Sequence, residues 1–211
     1  MRSIDKKKIY RDFCKKENSV NFFSQPDWLD ATVGDENWDV SIVIENSNVV
    51  ASMPYFMRNI LFFKEIRMPR MTQKLGPWLK ENISISDEFK YINLLFDQLP
   101  KYTFFQQNWD WKLRFWQPLY WRGYSQSTAY TYVLENLQNL NKIYANFSST
   151  NQRQIKKAQK NKIIIEEEEN LDKFLSLQDK TFQRQNYINF NKKKYLIEID
   201  KSLKKKKKRK I

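Results

Sequence analysis

Hydrophobic and polar positions alternate along the chain with two different periods, which predicts a domain that mixes α-helices and β-strands. Two apolar runs, at residues 38–45 and 49–57, flank the polar sequence Asn46-Ser47-Asn48. This order is typical of a β-hairpin, so it predicts the opening of a mostly antiparallel sheet. Residues 60–68 extend the predicted sheet. Residues 69–78 follow as a predicted loop, because they contain two prolines and a glycine.

Apolar residues at three- and four-residue spacing predict amphipathic helices between and after these strands. The clearest of them covers residues 86–99, where Phe89, Ile92, Leu95 and Phe96 fall on one side. The other predicted elements are helices at 5–17, 26–33, 112–121, 140–147, 149–160, 171–182 and 191–203, and strands at 102–107, 124–134 and 163–165. The predicted fold class is therefore α/β in the broad sense (α+β), with a mixed sheet flanked by helices.

The predicted helix at 149–160 carries its charge on one side. Ile155 and Ala158 lie on the opposite side, at 100° per residue, and can pack against the rest of the protein. Ser149 with Gln152 fits a capping box, which predicts a helix start there and places free amide groups near it, where an anion could bind. The four cations that share the other third of the circumference are Arg153, Lys156, Lys157 and Lys160. The alternative is a solvated charged face without a ligand.

Composition excludes several kinds of catalysis. The 211 residues include no histidine and a single cysteine, Cys14. The usual general base near neutral pH and the commonest metal ligand are therefore missing, and no internal disulfide or thiolate metal cage can form. We expect no metal site. No apolar run is long enough to cross a bilayer, and the first residues lack a signal-peptide pattern, which predicts a cytoplasmic protein with no transmembrane segment.

The net charge of +14 is concentrated near the C-terminus. Residues 192–211 contain 11 basic and two acidic residues, a net charge of +9, which leaves +5 for the remainder. The unbroken basic run at 204–210 has no apolar period and predicts a disordered tail over 204–211. Such a tail binds nucleic acid or anionic lipid weakly and with strong salt dependence. A run of lysine codons is also a place where a reading frame slips, so the tail has an alternative origin as a frame-slip product.

Aromatic residues crowd the segment 104–132. Most of these rings are expected in the core, since aromatic side chains dominate protein interiors. A stacking platform for bases is the second possibility, but few cations lie nearby in sequence. The third is the wall of an acceptor cleft for a sugar or peptide, formed by Trp78, Trp109 or Trp111 beside Gln106, Gln107 and Asp110.

Three segments, in this order along the chain, resemble FemAB-like members of the GNAT acyltransferase superfamily. They are the 24–29 segment Ser-Gln-Pro-Asp-Trp-Leu, the residues Pro69, Thr72, Leu75, Gly76 and Pro77 of a P-x-x-T-x-x-L-G-P pattern, and the basic helix with the Ile-rich stretch after it. The resemblance runs from about residue 20 to 200 and implies a GNAT-like mixed, mostly antiparallel sheet flanked by helices.

The resemblance also implies an activity, the transfer of an acyl or aminoacyl group to an amine. The donor would be acyl-CoA or aminoacyl-tRNA, and the acceptor a small-molecule amine or a cell-envelope precursor. Together with the acceptor-cleft hypothesis for Trp109 and Asp110, the resemblance gives these candidate substrate-binding residues: Gln73, Gly76, Trp78, Trp109, Asp110, Arg153, Lys156, Lys157 and Lys160. No catalytic base is identified. Gln73 to Trp78 begins like the family's glycine-rich pyrophosphate loop, but Pro77 has no amide hydrogen and Trp78 replaces a small residue. The acyl-CoA loop is therefore not found.

The resemblance divides the chain into a first GNAT-like half at 1–147, the incomplete start of a second at 148–203, and the tail. It implies a truncated chain with little activity alone. Two other classes of function stay open. One is a small basic nucleic-acid-binding module that uses the Lys-rich tail, and the other is a non-catalytic partner that completes a site in another chain.

Overall fold

The computed structural model describes residues 3–113, 115–134, 136–186 and 193–205. The helices of these residues are α1 (Ser3–Lys16), α2 (Pro26–Val33), α3 (Ile85–Asp97), α4 (Gln117–Trp121), α5 (Leu140–Ala145), α6 (Ser149–Lys160), α7 (Leu171–Arg184) and α8 (Lys193–Lys205). The strands are β1 (Trp38–Glu45), β2 (Asn48–Ile60), β3 (Phe63–Arg67), β4 (Trp78–Leu79) and β5 (Phe104–Phe105). None of these helices is long and apolar enough to cross a membrane.

The chain divides into two compact units. The first consists of the described residues of Met1–Ser125 and Leu171–Arg209, and it contains the whole sheet. The second consists of the described residues of Gln126–Asn170, with α5 and α6. The division at residue 147 that the family resemblance implies stays a prediction. Most of the basic run, from residue 206 onward, lies outside the described residues.

The first unit is built on a mixed, mostly antiparallel sheet of five strands. β1 and β2 form the predicted hairpin, and its turn residues Asn46 and Ser47 both have positive φ, of 48° and 64°. β2 continues antiparallel into β3 and also pairs with the short β4. β3 and β5 form the parallel pair. The predicted fold class, a mixed and mostly antiparallel sheet flanked by helices, is thereby confirmed.

Helix α3 packs on the β1–β2 hairpin and completes the main core. Ile92 and Leu95 are fully buried together with Met53 of β2. The helix begins at the cap residue Ser84, whose hydroxyl accepts a hydrogen bond from the Asp87 amide at 3.0 Å. A serine cap satisfies one of the amides that a helix start leaves without a partner. The predicted apolar side of this helix is confirmed.

Three local predictions are wrong. Residues 124–134 and 163–165 form no strand, and Ile163, Ile164 and Ile165 are exposed by 62%, 77% and 94%. A strand needs a neighbour to pair its backbone groups, and the sequence pattern alone does not supply one. The helix predicted at 112–121 is shortened to α4, since Pro118 lies in its first turn and fits a helix start rather than a helix interior.

Candidate functional site

The loop at 69–77 packs against the segment 106–111, so two of the sequence-predicted site regions meet. Gly76 has a φ of +109°, and a Cβ atom added there would lie 2.4 Å from Cδ1 of Trp109. The backbone of Gly76 therefore approaches the indole ring more closely than any other residue type allows. The contact joins Gly76 and Trp109, which are 33 positions apart in the sequence.

Backbone hydrogen bonds hold the two segments in this contact. The Leu75 amide donates to the Asn108 carbonyl at 2.7 Å, and the Thr72 amide donates to the Pro69 carbonyl at 3.3 Å. Two amide groups of the 69–77 loop are thus engaged within the protein, and Pro77 has no amide hydrogen. A phosphate-binding loop needs several amides pointing at the ligand. The 69–77 loop does not have the features of a pyrophosphate cradle.

Trp109 is half-buried between the loop and the core. Its indole Nε1 donates to Oε1 of Gln107 at 3.3 Å, and Nε2 of Gln107 donates to the Pro54 carbonyl of β2 at 3.1 Å. The ring centroid of Trp109 lies 6.2 Å from that of Phe96 on α3. The orientation of Trp109 is therefore set by the sheet on one side and by α3 on the other.

Asp110 is the carboxylate of this site. Its Oδ2 accepts from Nδ2 of Asn21 at 3.2 Å and from Nζ of Lys74 at 3.4 Å, and its Oδ1 accepts from the Lys112 amide at 3.1 Å. The carboxylate is therefore held by three donors and connects the 69–77 loop to the segment before α2. Such a carboxylate is suited to holding a neighbouring group in position. The arrangement of its three hydrogen-bond donors does not identify it as a general base.

Trp78 lies at the end of the loop, where β4 pairs with β2. Its Nε1 donates to the Ser19 hydroxyl at 2.8 Å, and its ring meets that of Phe13 edge-on at 4.7 Å between centroids. Trp78 therefore connects the sheet to α1. Gln73, by contrast, is exposed.

Helix α2 also contacts the 69–77 loop, through a side-chain hydrogen bond. The indole Nε1 of the buried Trp28 donates to the Thr72 hydroxyl at 2.9 Å. Trp28 packs in turn against Ile199 and Leu203 of α8. This contact was missed in the sequence, although both Trp28 and Thr72 lie in segments on which the family resemblance rests. No local signal indicates that the two side chains meet.

The aromatic segment is less buried than its composition predicts. Of its described rings, five are half-buried against the main core: Phe105, Trp109, Phe115, Trp116 and Tyr124. Burial is the main cause that raises the pKa of the Tyr124 phenol, and its hydrogen bond with Tyr102 adds to the shift. Six others are exposed, namely Phe104, Trp111, Tyr120, Trp121, Tyr130 and Tyr132. The prediction that most of these rings form core is wrong for this second group.

Helix α6 lies in the second unit and has the predicted two-sided character. Ile155 and Ala158 are partly covered. The four predicted cations are exposed, and they are Arg153, Lys156, Lys157 and Lys160.

The start of α6 differs from the predicted capping box. The cap residue is Ser148, whose hydroxyl accepts from the Asn151 amide at 3.3 Å, and Ser149 is the first residue of the helix. Gln152 reaches back to α5, and its Nε2 donates to the Tyr144 carbonyl at 3.2 Å and to the Phe147 carbonyl at 3.0 Å. Gln152 thus connects α6 to α5 instead of forming a capping box with Ser149. The serine run at 148–149 offers two possible caps, and the sequence does not decide between them.

Two surface depressions lie elsewhere in the first unit. One is lined by residues of α7, and the other by Lys7, Lys8, Arg11, Asp12, Lys15 and Asp35. Neither contains a sequence-predicted site residue. Within the described ranges, no cluster of three or more acidic or cysteine side chains is arranged to hold a metal ion.

Comparison with known proteins gives no relative. No family model, no curated protein sequence and no solved structure matches this chain. Two candidate regions are therefore defined by their own geometry, and each belongs to one unit. One is the loop contact of Gly76 with Trp109 in the first unit, and the other is the cationic face of α6 in the second.

Proposed function

We propose that this chain acts in the transfer of an aminoacyl group from a charged tRNA to an amine, as its resemblance to FemAB-like acyltransferases implies. The observation that carries the proposal is the contact of Gly76 with Trp109, which unites the family-like loop and the predicted acceptor wall. The mixed sheet flanked by helices supports the same assignment. The acceptor amine would lie beside Trp78, Trp109 and Asp110.

The choice of aminoacyl-tRNA as donor rests on the state of the 69–77 loop. An acyl-CoA donor requires a loop of free amides for its pyrophosphate. In this loop the Leu75 amide is bound to Asn108, and Pro77 offers none. A tRNA needs instead a surface of exposed cations that contacts phosphates. The α6 face, with Arg153 and Lys156 at its centre, has that character.

The chemistry of the step needs no cofactor. The acceptor amine attacks the ester carbonyl of the charged tRNA, the new C–N bond forms, and the C–O bond to the terminal ribose breaks. The amine loses its proton to solvent while the ribose hydroxyl takes one up. Orientation of the two reactants supplies most of the acceleration in such a reaction.

A second candidate is the basic nucleic-acid-binding module, which the exposed cations of α6 also favour. The two candidates differ in selectivity. A purely electrostatic binder recognises charge, so it binds tRNA, duplex DNA and unstructured RNA of equal length alike. A donor site binds charged tRNA more tightly than duplex DNA or unstructured RNA of equal length.

We predict that removal of the α6 cations weakens tRNA binding. The variant R153A/K156A/K157A/K160A is expected to bind charged tRNA at least tenfold more weakly. If each of the four cations contacts one phosphate, the slope of log K against log salt falls by about 3.6, because each contact contributes about 0.9 to it. The measurement is a filter-binding titration across salt concentrations. The matched control is K8A/K16A/K80A/K101A, which removes four exposed cations from the first unit.

The control variant is expected to keep the affinity and most of the salt slope of the unchanged chain. An equal loss in both quadruple variants would contradict the assignment to α6, since it would show that net charge alone determines binding. Equal affinity of the unchanged chain for tRNA and duplex DNA would favour the second candidate.

A further inference from the structure

The tip of the β2–β3 hairpin consists of large apolar residues that face solvent. Leu61 and Phe62 are exposed by 90% and 93%, and Phe63, the first residue of β3, by 56%. The β1–β2 hairpin of the same sheet provides the comparison, because its turn consists of the polar residues Asn46 and Ser47. Polar or glycine residues are the ordinary choice at an exposed hairpin turn. An apolar tip is therefore a departure from the rule that the chain follows elsewhere.

The backbone of the tip adds a second observation. Leu61 has a φ of +50°, a conformation that disfavours side chains with a Cβ and suits glycine or asparagine. A leucine at this position costs conformational energy and leaves its side chain in water. Backbone strain of this kind clusters at functional positions, which makes the tip a candidate for a role beyond folding.

Charged residues lie directly behind the tip. Arg58 pairs with Glu65 at 3.3 Å, and Arg67 pairs with Glu65 at 2.8 Å, so two cations flank one carboxylate on the same face of the hairpin. Lys64 is exposed on the other face. The Arg67 guanidinium, followed by that of Arg58, lowers the pKa of the Glu65 carboxyl, which keeps it charged. The hairpin therefore has a net charge of +2 over residues 57–67.

The spacing of these groups suits a lipid interface. Ile60 lies two residues beyond Arg58 along β2, a distance of about 7 Å at the rise of a strand. Apolar side chains of interfacial segments enter a membrane to about 5–10 Å, with cations at the level of the headgroups. Arg58 and Lys64 therefore lie within that depth behind the apolar tip. Arg67 lies farther back, four residues beyond Phe63, and its guanidinium stacks over the Phe104 ring at 4.3 Å.

The area of the tip argues against a protein partner. A large aromatic side chain covers roughly 150–250 Å². Three exposed residues on a narrow hairpin therefore offer about 500 Å², whereas a stable protein interface buries about 800 Å² on each partner. A bilayer accepts a small wedge, because lipids rearrange around it. The cations at Arg58 and Lys64 select an anionic surface.

We propose that the β2–β3 hairpin attaches this protein to anionic membranes by inserting Leu61, Phe62 and Phe63 into the lipid interface while Arg58 and Lys64 contact the headgroups. This attachment is reversible and peripheral. It is independent of the proposed group transfer, and neither requires the other.

The test is sedimentation of the full chain with vesicles of phosphatidylcholine and phosphatidylglycerol in equal parts. The variant is L61G/F62S, in which glycine accepts the positive φ at position 61, so the hairpin keeps or gains stability. We expect at least a tenfold loss of vesicle binding with an unchanged or higher melting temperature. The matched control is I164S/I165S, which removes two similarly exposed apolar residues from the second unit and is expected to bind as the unchanged chain does.

The experiment separates the tip from the basic C-terminal run. Repetition in about 1 M salt, where the Debye length is about 3 Å, suppresses binding that is only electrostatic. Residual binding that depends on Leu61 and Phe62 under this condition supports insertion. Binding by L61G/F62S equal to that of the unchanged chain overturns the proposal, as does equal binding to vesicles of phosphatidylcholine alone. Loss of self-association in L61G/F62S with unchanged vesicle binding assigns the tip to a second copy of the chain, and also overturns it.

Discussion

Gly76→Ala is expected to destabilise the protein by about 2–5 kcal/mol, which is a large part of the stability of a typical domain. The φ of +109° alone costs an alanine about 1–2 kcal/mol. The added Cβ would also lie 2.4 Å from the ring of Trp109, which packs against Phe96 and cannot move freely. Overpacking against a fixed ring costs about 1–3 kcal/mol more. Urea denaturation at equilibrium measures the sum.

Gly123→Ala is the matched control for this prediction. Gly123 also has a positive φ, of 84°, but no atom lies within 4 Å of the position of its Cβ. Its substitution therefore reports the backbone term alone, about 1–2 kcal/mol. In a Trp109→Ala background, the cost of Gly76→Ala should fall to that value, because the clash has been removed. Equal costs at positions 76 and 123 in the unchanged background would show that the loop does not press on Trp109.

Trp28→Ala is expected to have the second large effect, a loss of about 3–5 kcal/mol. The Trp28 side chain is 7% exposed, and it fills the space between α2, α8 and the 69–77 loop. Its removal leaves a cavity beside Ile199 and Leu203 and withdraws the hydrogen bond to Thr72. We expect the loss in urea denaturation, together with faster amide exchange in α8. Trp111→Ala, at a ring that is 45% exposed, should cost far less.

The free energy of the hydrogen bond between Trp28 and Thr72 is measured by a double-mutant cycle. Trp28→Phe keeps most of the ring volume but leaves the buried Thr72 hydroxyl without its donor, at a cost of about 1–3 kcal/mol. Thr72→Val in addition removes the other partner, so the double variant should be more stable than the sum of the single changes predicts. Strict additivity would mean that Trp28 holds the loop only by packing.

The local elements of the first unit were predictable because their signals are local. The alternating runs around Asn46 specify the β1–β2 hairpin, and the spacing of Ile92, Leu95 and Phe96 specifies the buried side of α3. Helix α2 begins at Pro26 and is capped by Gly34, whose positive φ ends it. Each of these features is determined by residues within a few positions of one another.

The failures share a physical cause, which is dependence on a distant partner. Ile163 to Ile165 has the composition of a strand but no strand beside it in the described residues. A run of β-branched residues prefers extended backbone, yet only a neighbouring strand converts that preference into a ladder. The Tyr130 and Tyr132 rings likewise have no core within reach and are fully exposed.

The candidate site was predictable by residue type and not by arrangement. The sequence indicates Trp78, Trp109 and Asp110 as a possible wall, but the close approach of Gly76 to Trp109 depends on how two loops cross. Asn21, Lys74 and Lys112, which hold Asp110, have no motif that identifies them. The cations of α6 are the exception, because helical periodicity places them on one exposed face.

The most direct test of the proposed function is formation of an amide from a labelled aminoacyl-tRNA and amine-bearing cell-envelope precursors. The ester of the charged tRNA breaks in mild base, whereas the amide product survives, so base-stable label reports transfer. We predict slow transfer above the uncatalysed background by the unchanged chain and by K8A/K16A/K80A/K101A, and at least a tenfold lower rate for R153A/K156A/K157A/K160A. Binding of the charged tRNA with no base-stable label would contradict the assignment and leave a nucleic-acid-binding module.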